Sequence, residues 1–463
     1  MYKILPVGLI READKDCIDN EPIASIDLME RASKGIFEWI ADHFPKENFT
    51  FHILAGIGNN GGDGLAVARM LHEAGFQVKV TVIRFSEKNS EDFNINFERL
   101  QKLISVEDLQ KDEKLSLDKG QNIIIDAILG SGISRSPEGW LAEIIQTINN
   151  SENPVIAIDM PSGLLADECS VNHAKNIVQA NMTLTLGVHK LPLFMPENDQ
   201  FIGDWHYIPI GLREEFISQA KTRHHFTTIK DIEPLILPRP KFAHKGTYGH
   251  TLIFAGGKGK MGAAVLSAKA ALRSGCGLVS VHTPEKQSHI IQSSAPEAMI
   301  SGDADPNFIS ELPEIAQFTS IGFGPGCGTD EKTAKVLKNI IQNANQPLVL
   351  DADALNILSE NKTWLAFLPK YSILTPHIGE FKRLNGDSKN DFERLNDASS
   401  MAMKHGIIII LKGAFTAVCA PDGNIYFNPT GNPGMAKGGS GDVLTGLLSG
   451  LLAKGMNPLH AAI

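Results

Sequence analysis

The sequence predicts an α/β protein built from two successive units, and three observations carry that reading. Short apolar runs with the look of buried strands recur along the chain, and each opens into a glycine-bearing loop. The pattern occurs twice, interrupted between residues 211 and 244 by a charged stretch that carries Pro234, Pro238 and Pro240. At 463 residues the chain has room for two or three cores.

Composition narrows the function classes. Hydrophobic residues at 43% and charged residues at 21% are ordinary for a globular protein. A net charge of -10 argues against a nucleic-acid or anionic-membrane surface, so any anionic ligand must be held locally. Cys17, Cys169, Cys276, Cys327 and Cys419 are odd in number and include no Cys-x-x-Cys, which fits a reducing compartment without disulfides or zinc. The start turns charged too soon for a signal peptide, and the apolar run at 407–411 is far too short to span a bilayer. A cytoplasmic protein is expected.

Within the first half, apolar positions at helical spacing (Ile26, Met29, Ile36, Ile40) predict a helix over 22–43 that ends before Pro45. A strand over 51–56 opens into Gly58-Asn-Asn-Gly-Gly-Asp-Gly64, then a helix over 65–74 and a strand over 77–83. This is the grammar of a phosphate-binding crossover. Gly56, Gly58 and Gly61 also satisfy G-x-G-x-x-G, but Arg84 stands where the ribose-binding acid belongs, which argues against ordinary dinucleotide binding. A tight turn needing glycines for positive φ explains some of the glycines; it does not explain Asn59, Asn60 and Asp63, which favour a ligand loop.

Strands over 122–126 and 154–159 each end in an acid, Asp126 and Asp159, and each precedes a glycine turn (Gly130-Ser-Gly132 and Pro161-Ser-Gly163). In a parallel sheet both acids emerge at the carboxyl edge beside the asparagine loop. A lone Asp there is commonly a cap, whereas two acids converging with asparagines suggest a site. Asn60, Asp126 and Ser162 offer only oxygen, which suits a hard cation.

The second half repeats the pattern. Strands over 251–255, 320–323, 348–351, 372–374 and 407–411 lead into the loops beginning at Gly256, Gly324, Ala352, Thr375 and Lys412, and a helix over 263–274 is capped by Gly275. Lys258 and Lys260 either solvate their loop or meet an anion. Asp351 and Asp353 read as caps of a helix over 354–358 more readily than as Mg²⁺ partners. His377 is either a structural hydrogen-bonder or a substrate contact. The C-terminal stretch Ala436-Lys-Gly-Gly-Ser-Gly-Asp-Val-Leu-Thr-Gly446 runs into an apolar helix, where free backbone N–H groups and the helix dipole make a seat for phosphate. Asp442 beside that seat is either an N-cap or a base for a hydroxyl attacking phosphorus. No Walker-type motif occurs, so phosphoryl transfer would have to use this seat.

Taken in order, seven motifs resemble those of the bifunctional NAD(P)H-hydrate repair enzymes. They are Asn59-Asn-Gly-Gly-Asp-Gly64, Asp126-Ala-Ile-Leu-Gly-Ser-Gly132, Asp159-Met-Pro-Ser-Gly163, His244-Lys-Gly, Thr375-Pro-His-Ile-Gly-Glu380, Lys412-Gly-Ala, and Gly431-Asn-Pro-Gly-Met-Ala running on to Gly441-Asp442. The resemblance covers the whole chain. It implies an N-terminal Rossmann-like three-layer domain, residues 1–222, acting as NAD(P)H-hydrate epimerase. A ribokinase-like α/β domain, residues 223–463, would be the ADP/ATP-dependent dehydratase.

By the same resemblance Asn59, Asn60, Gly61, Gly62 and Asp63, with Gly130, Ser131, Gly132, Ile133, Ser134, Arg135 and Ser136, hold the hydrated dinucleotide. Asn60, Asp126 and Ser162 bind K⁺, and Asp159 works on the substrate. On the dehydratase side, Ala263, Gly326, Gly328, His377 and Asp442 match substrate positions, with Asp442 catalytic. Lys412, Gly413, Ala414, Phe415, Thr416 and Gly441 match nucleotide contacts used with Mg²⁺ and ADP or ATP. The family continues through a further helical segment where this chain stops at Ile463, so a shortened dehydratase domain is expected. Hydrated NADH and NADPH would be the substrates, with no nucleic-acid or membrane partner and a homo-oligomeric assembly. A vitamin-type small-molecule kinase with an accessory domain shares the glycine-aspartate seat but would release a stable phosphoester. A nucleotide-sensing scaffold is disfavoured by the retained Asp159.

Overall fold

The computed structural model describes all residues except 22, 119–121 and 237. The chain forms two compact units, one of Tyr2–His224 with Asn390–Phe392, the other of Met1, His225–Lys389 and Glu393–Ile463.

The first unit is organised on seven strands: β1 (Thr50–Ala55), β2 (Gln77–Ile83), β3 (Glu107–Leu109), β4 (Asn122–Ala127), β5 (Val155–Ile158), β6 (Met182–Leu186) and β7 (Asp204–Ile208). They lie in the order β3-β2-β1-β4-β5-β6-β7, every pair parallel. Helices α1 (Val7–Asn20), α2 (Ser25–His43), α3 (Asn59–Glu73), α4 (Glu91–Gln101) and α5 (Trp140–Asn149) belong to the same unit. Strand alternation divides the core in two. Ile53, Ile123 and Ile125 pack with Ile36, Leu65 and Phe93 of α2, α3 and α4, while Leu54, Ile124 and Ala157 pack with Ile144, Ile145 and Ile148 of α5. The sheet is thus the middle of three layers. Strand order reverses between β1 and β4, and a parallel sheet leaves a crevice at the carboxyl ends of such a pair.

Two local expectations change. Residue 22 lies outside the described residues, and the helix expected from there runs from Ser25; the helix expected from 65 begins six residues earlier, at Asn59. The asparagines therefore occupy its first turn. None of Gly56, Gly58, Gly61, Gly62 and Gly64 has positive φ. Close approach explains two of them: a Cβ on Gly56 would stand 2.0 Å from the carbonyl oxygen of Ile128, and one on Gly61 would stand 1.8 Å from that of Gly56.

The second unit contains β8 (His250–Phe254), β9 (Leu278–Pro284), β10 (Met299–Asp303), β11 (Ser320–Phe323), β12 (Leu348–Leu350), β13 (Ile373–Leu374), β14 (Ile408–Leu411), β15 (Thr416–Cys419) and β16 (Ile425–Asn428). Their order is β10-β9-β8-β11-β12-β13-β14-β15-β16, parallel up to β14 and antiparallel in the last two pairs. Its helices include α6 (Met261–Ser274), α7 (Glu331–Asn343), α8 (Asp353–Glu360), α9 (Ile378–Asn385) and α10 (Ser440–Ala453). Gly275 ends α6 with φ of 91°, the left-handed cap its position predicts. Within the stretch expected to lack strands, His224–Phe226 is extended. Helices α6 and α10 touch backbone to backbone, because a Cβ on Gly446 would fall 2.0 Å from the Ser267 carbonyl oxygen and one on Gly450 only 2.9 Å from that of Ala271.

Candidate functional sites

At the β1/β4 switch point a cavity of about 600 Å³ opens, lined by residues from α1 and α2, the loops after β1 and β4, and the ends of β5 and β6. Gly58, Asn59, Asn60 and Asp63 line it, as do Gly130, Ser131, Gly132, Ile133 and Asp159. Gly61 and Gly62 do not; they are buried in helix packing, Gly62 against Met29. Ser134 and Arg135 are exposed, and neither they nor Ser136 reach the lining.

Asp159 follows β5 with φ of 67°, a left-handed conformation costly for a residue with a Cβ, and its N–H is bonded to the Leu184 carbonyl at 2.8 Å. That backbone turn aims the carboxylate into the cavity wall. Its Oδ1 lies 2.7 Å from Lys190 Nζ and its Oδ2 accepts the Ser131 N–H at 3.0 Å. Lys190 is 1% exposed and also donates to Thr185 Oγ1 and to the carbonyls of Leu186 and Val188. Burial alone would raise the Asp159 carboxyl, but the Lys190 ammonium and the Ser131 bond outweigh it and hold the group below its ordinary value. Asp63 does not cap α3. It is buried inside the helix, 3.4 Å from Ser33 Oγ, and burial with the charge of Asp159 drives its pKa well up.

Asp126 is fully buried, accepting Ser162 Oγ at 2.6 Å and the Ser162 N–H at 2.8 Å; burial raises its carboxyl to about 6. Ser162 Oγ also accepts the Leu129 N–H at 2.8 Å, and Asn60 packs on the adjacent Gly130, 3.1 Å from where a Cβ would stand. The Asn60 amide nitrogen is buried without a hydrogen-bond partner among the described residues. Asp126 and Ser162 bring together a carboxylate and a hydroxyl, the kind of oxygen ligands a hard cation takes, whereas the partnerless Asn60 atom is an N–H donor and would need its amide oxygen turned inward to join them. Arg84 has no opening onto the cavity lining; it pairs with Asp108 at 2.8 Å and lies over Phe93 and Phe97.

Four contributors to this cavity carry no sequence motif. Arg11, Asp14 and Lys15 come from α1, and Lys190 comes from the loop after β6. The apolar spacing of Ile10, Ala13 and Cys17 was the available signal for α1, and the need of a buried Asp159 for a counter-charge was the signal for Lys190.

In the second unit the phosphate seat forms as the sequence suggests. Gly439, with φ of 98°, turns the chain into α10, whose first-turn N–H groups have no intrahelical acceptor. Residues 431–438 before it are exposed. Asp442 is not an N-cap, and its carboxylate makes no hydrogen bond or ion pair with a described residue. Burial, then the nearby Asp351, raises its pKa, while Lys412 opposes them. Asp351 and Asp353 do not cap α8, contrary to expectation. Asp351 pairs with Lys412 at 3.0 Å and accepts Thr445 Oγ1 at 3.1 Å; Asp353 accepts the Gly328 N–H at 2.8 Å and meets Lys260 at 3.5 Å.

A Cβ on Gly441 would lie 3.0 Å from Asp351 Oδ2 and 3.6 Å from Lys412 Nζ, and one on Gly326 would lie 3.2 Å from Ala263. Gly441, Lys412 and Asp351 are therefore neighbours, as are Gly326 and Ala263. Thr416 Oγ1 closes the loop of Gly413, Ala414 and Phe415 by bonding the Gly413 carbonyl, and Gly431 packs against Ala414. His377 caps α9 through the Gly379 N–H at 3.0 Å and lies 3.4 Å from Glu380, while its ring stays half-exposed. Among the described residues no group of three acidic, histidine or cysteine side chains is placed to hold a metal by itself, so Mg²⁺ at this seat would arrive on a nucleotide, held mainly by its phosphates.

A parallel sheet with an acid-bearing switch-point cavity in one unit, and a lysine and glycine seat at a helix N-terminus in the other, define a two-unit nucleotide-handling α/β protein. Comparison with known proteins makes this specific. Residues 251–463 match the family model described as NAD(P)H-hydrate dehydratase, and residues 25–191 that of the YjeF-related protein N-terminus. The chain is 35% identical to the bifunctional NAD(P)H-hydrate repair enzyme Nnr of Moorella thermoacetica, over 95% of this chain and 86% of that protein. The Escherichia coli protein of the same name is 31% identical, over 98% and 85%. Among solved structures, the ADP/ATP-dependent NAD(P)H-hydrate dehydratase of Bacillus subtilis, co-crystallised with ATP and Mg²⁺, is similar at 32% identity, covering 51% of this chain and 84% of that one with a TM-score of 0.45. The chain belongs to the family of bifunctional NAD(P)H-hydrate repair enzymes.

Proposed function

We infer that this protein repairs hydrated NADH and NADPH. Residues 1–222 epimerise the hydroxyl-bearing C6, and residues 223–463 dehydrate the S epimer at the expense of ADP or ATP. The observation that carries the reading is the Asp442 carboxylate, without a partner among the described residues and beside a phosphate seat, on a chain nearly all of whose length matches the repair family.

Hydroxide is a poor leaving group. Asp442 takes the proton of the C6 hydroxyl as its oxygen attacks the terminal phosphorus, and the first-turn amides of α10 with Lys412 receive the charge that develops on the phosphoryl group. The phosphate so attached is a good leaving group: the ring nitrogen lone pair expels it to give a C6=N1 iminium, and loss of a proton from C5 then returns the electron pair to nitrogen and restores the C5=C6 double bond. Mg²⁺ bound with the nucleotide would neutralise phosphate charge. Ala263, Gly326, Gly328 and His377 shape the substrate side, and Lys412, Gly413, Ala414, Phe415, Thr416 and Gly441 the nucleotide side.

In the first unit Asn59, Asn60, Asp63 and the Gly130 turn hold the hydrated ring and its pyrophosphate, with Asp159 acting on it. K⁺ at Asn60, Asp126 and Ser162 would brace the asparagine loop. The five cysteines form no disulfide, which supports a cytoplasmic location. Among the described residues no helix is long and apolar enough to cross a membrane. Exposed Leu266, Val443 and Leu447, on the packed helices α6 and α10, support a homo-oligomer, which sedimentation would test.

The deciding experiment incubates the protein with hydrated NADH and either nucleotide while following reduced-nicotinamide absorbance. Recovery with release of phosphate is expected. No recovery with either nucleotide, or accumulation of a stable phosphoester, would overturn the assignment.

A further inference from the structure

We propose that Asp14 is a second catalytic acid of the switch-point cavity, working opposite Asp159, and that Lys190 is the positioning residue that fixes Asp159 for its part. The proposal rests on the epimerase reading and deepens it. Helix α1 lies over the cavity with Arg11, Asp14 and Lys15 in its lining, and Asp14 shares the lining with Asp159 and Lys190. Asp14 is half-buried, yet its carboxyl makes no hydrogen bond or ion pair with a described residue. Asp159 is the reverse case, with both oxygens committed, to Lys190 and to the Ser131 N–H. One carboxyl is therefore loose and the other fixed, in the same chamber.

Their protonation states differ for structural reasons. Lys190 keeps Asp159 ionised, whereas burial and then the charge of Asp159 raise Asp14 to about 6, Lys190 opposing. The remaining charged groups of the lining are Asp63 from α3, Asp92 from α4, and Arg11 and Lys15 from α1 itself. Asp92 is tied to Ser25 Oγ at 2.6 Å and Arg11 to the Gly132 carbonyl at 2.9 Å. Asp63 is held under α2 by Ser33. Asp14 is left as the acid with freedom to meet a ligand.

Inverting C6 needs this pairing. The Asp159 carboxylate takes the proton of the C6 hydroxyl, the O–H electron pair becomes the second bond of an aldehyde, and the C6–N1 bond breaks with its pair going to nitrogen. Asp14 delivers its proton to that nitrogen. Rotation about C5–C6 turns the other face of the aldehyde to the nitrogen; re-addition returns one proton to Asp14 and one from Asp159 to oxygen. The ring, the hydroxyl and both carboxyl groups end as they began.

The test uses the full-length protein and mixed-epimer hydrated NADH with saturating nucleotide. The dehydratase unit reports one epimer in a fast phase and exchange of the other in a second phase. In the parent, second-phase rates should fall as pH rises through about 6, where Asp14 loses its proton. Asp14→Asn should lower kcat of the second phase on the order of 10²- to 10⁴-fold with KM little changed and that pH limb gone. Asp14→Glu should restore part of the rate. Lys190→Met should shift the acid limb, set by Asp159, to higher pH. A parent-like rate and pH profile in Asp14→Asn overturns the role of Asp14, and an unmoved acid limb in Lys190→Met overturns that of Lys190. A parent protein with a fast phase but no catalysed exchange overturns the epimerase reading itself.

Discussion

Lys412 Nζ stands 3.0 Å from Asp351 Oδ1, and the other oxygen of that carboxylate accepts the hydroxyl of Thr445 at 3.1 Å. One buried acid thus joins the end of β12, the loop after β14 and the second turn of α10. The lysine approaches the phosphate seat from a fixed direction. Glu380 adds a second carboxylate 3.7 Å from the same ammonium, so its charge is balanced before a nucleotide arrives.

Asp442→Asn should abolish nucleotide-dependent recovery of NADH, by on the order of 10² to 10⁴ in rate, while epimer exchange continues. The parent should lose dehydration on acidification, because the base must be ionised, and its raised pKa sets that loss above the ordinary Asp range of about 3.9. Single-turnover assays across pH measure both. Near-normal dehydration by the variant would show that another group takes the proton.

Epimer exchange should depend on a monovalent cation, and Asp126→Ala should remove that dependence together with most of the rate. Asp126 is the one carboxylate in its cluster with Asn60 and Ser162. Exchange measured with K⁺ and with a bulky organic cation in its place separates the cases. Equal rates in the parent under both conditions would make the cluster structural.

Asp159→Asn should leave the fast, dehydratase phase of recovery from mixed epimers unchanged and slow the second phase to the rate of spontaneous exchange. The substitution also leaves Lys190 without its anion. Breaking a buried pair costs about 3–5 kcal/mol, but three other oxygens still accept from this ammonium and should reduce the loss. Thermal unfolding alongside the kinetics checks both parts. A second phase as fast as the parent's would remove Asp159 from the chemistry.

Gly446→Ala should destabilise the second unit by about 1–3 kcal/mol, the usual cost of overpacking, because the new methyl would meet the Ser267 backbone. Gly262→Ala, on the same helix pair but with open space around its Cβ position, is the control and should be neutral or slightly stabilising. Denaturant midpoints compare the two. Equal stabilities would mean that the helices can separate without cost.

The α/β class was legible because buried parallel strands read as apolar runs, and those over 77–83 and 320–323 fall where periodicity puts them. The start of α3 was not, since glycines and asparagines at 59–64 read as loop by propensity, whereas packing against Gly56 and Met29 makes them helix. Asp351 read as a cap because a strand-end acid before a helix commonly is one; its partners Lys412 and Thr445 lie 61 and 94 residues away. The same distance effect hid Asp14 and Lys190, whose meaning comes from the neighbours that folding gives them.

The packing of α10 implies a gradient of local stability along one helix. Its later turns are clamped at Gly446 and Gly450 against α6, while the chain before Gly439 is open to solvent. Amide hydrogens of Leu448 to Ala453 should exchange only on global unfolding, and those preceding Ser440 by small local openings. Asp442 sits where the two regimes meet. The seat can therefore open to admit a nucleotide without loosening the framework that holds the carboxylate, and ligand binding should be read out as slowed exchange confined to the first turn.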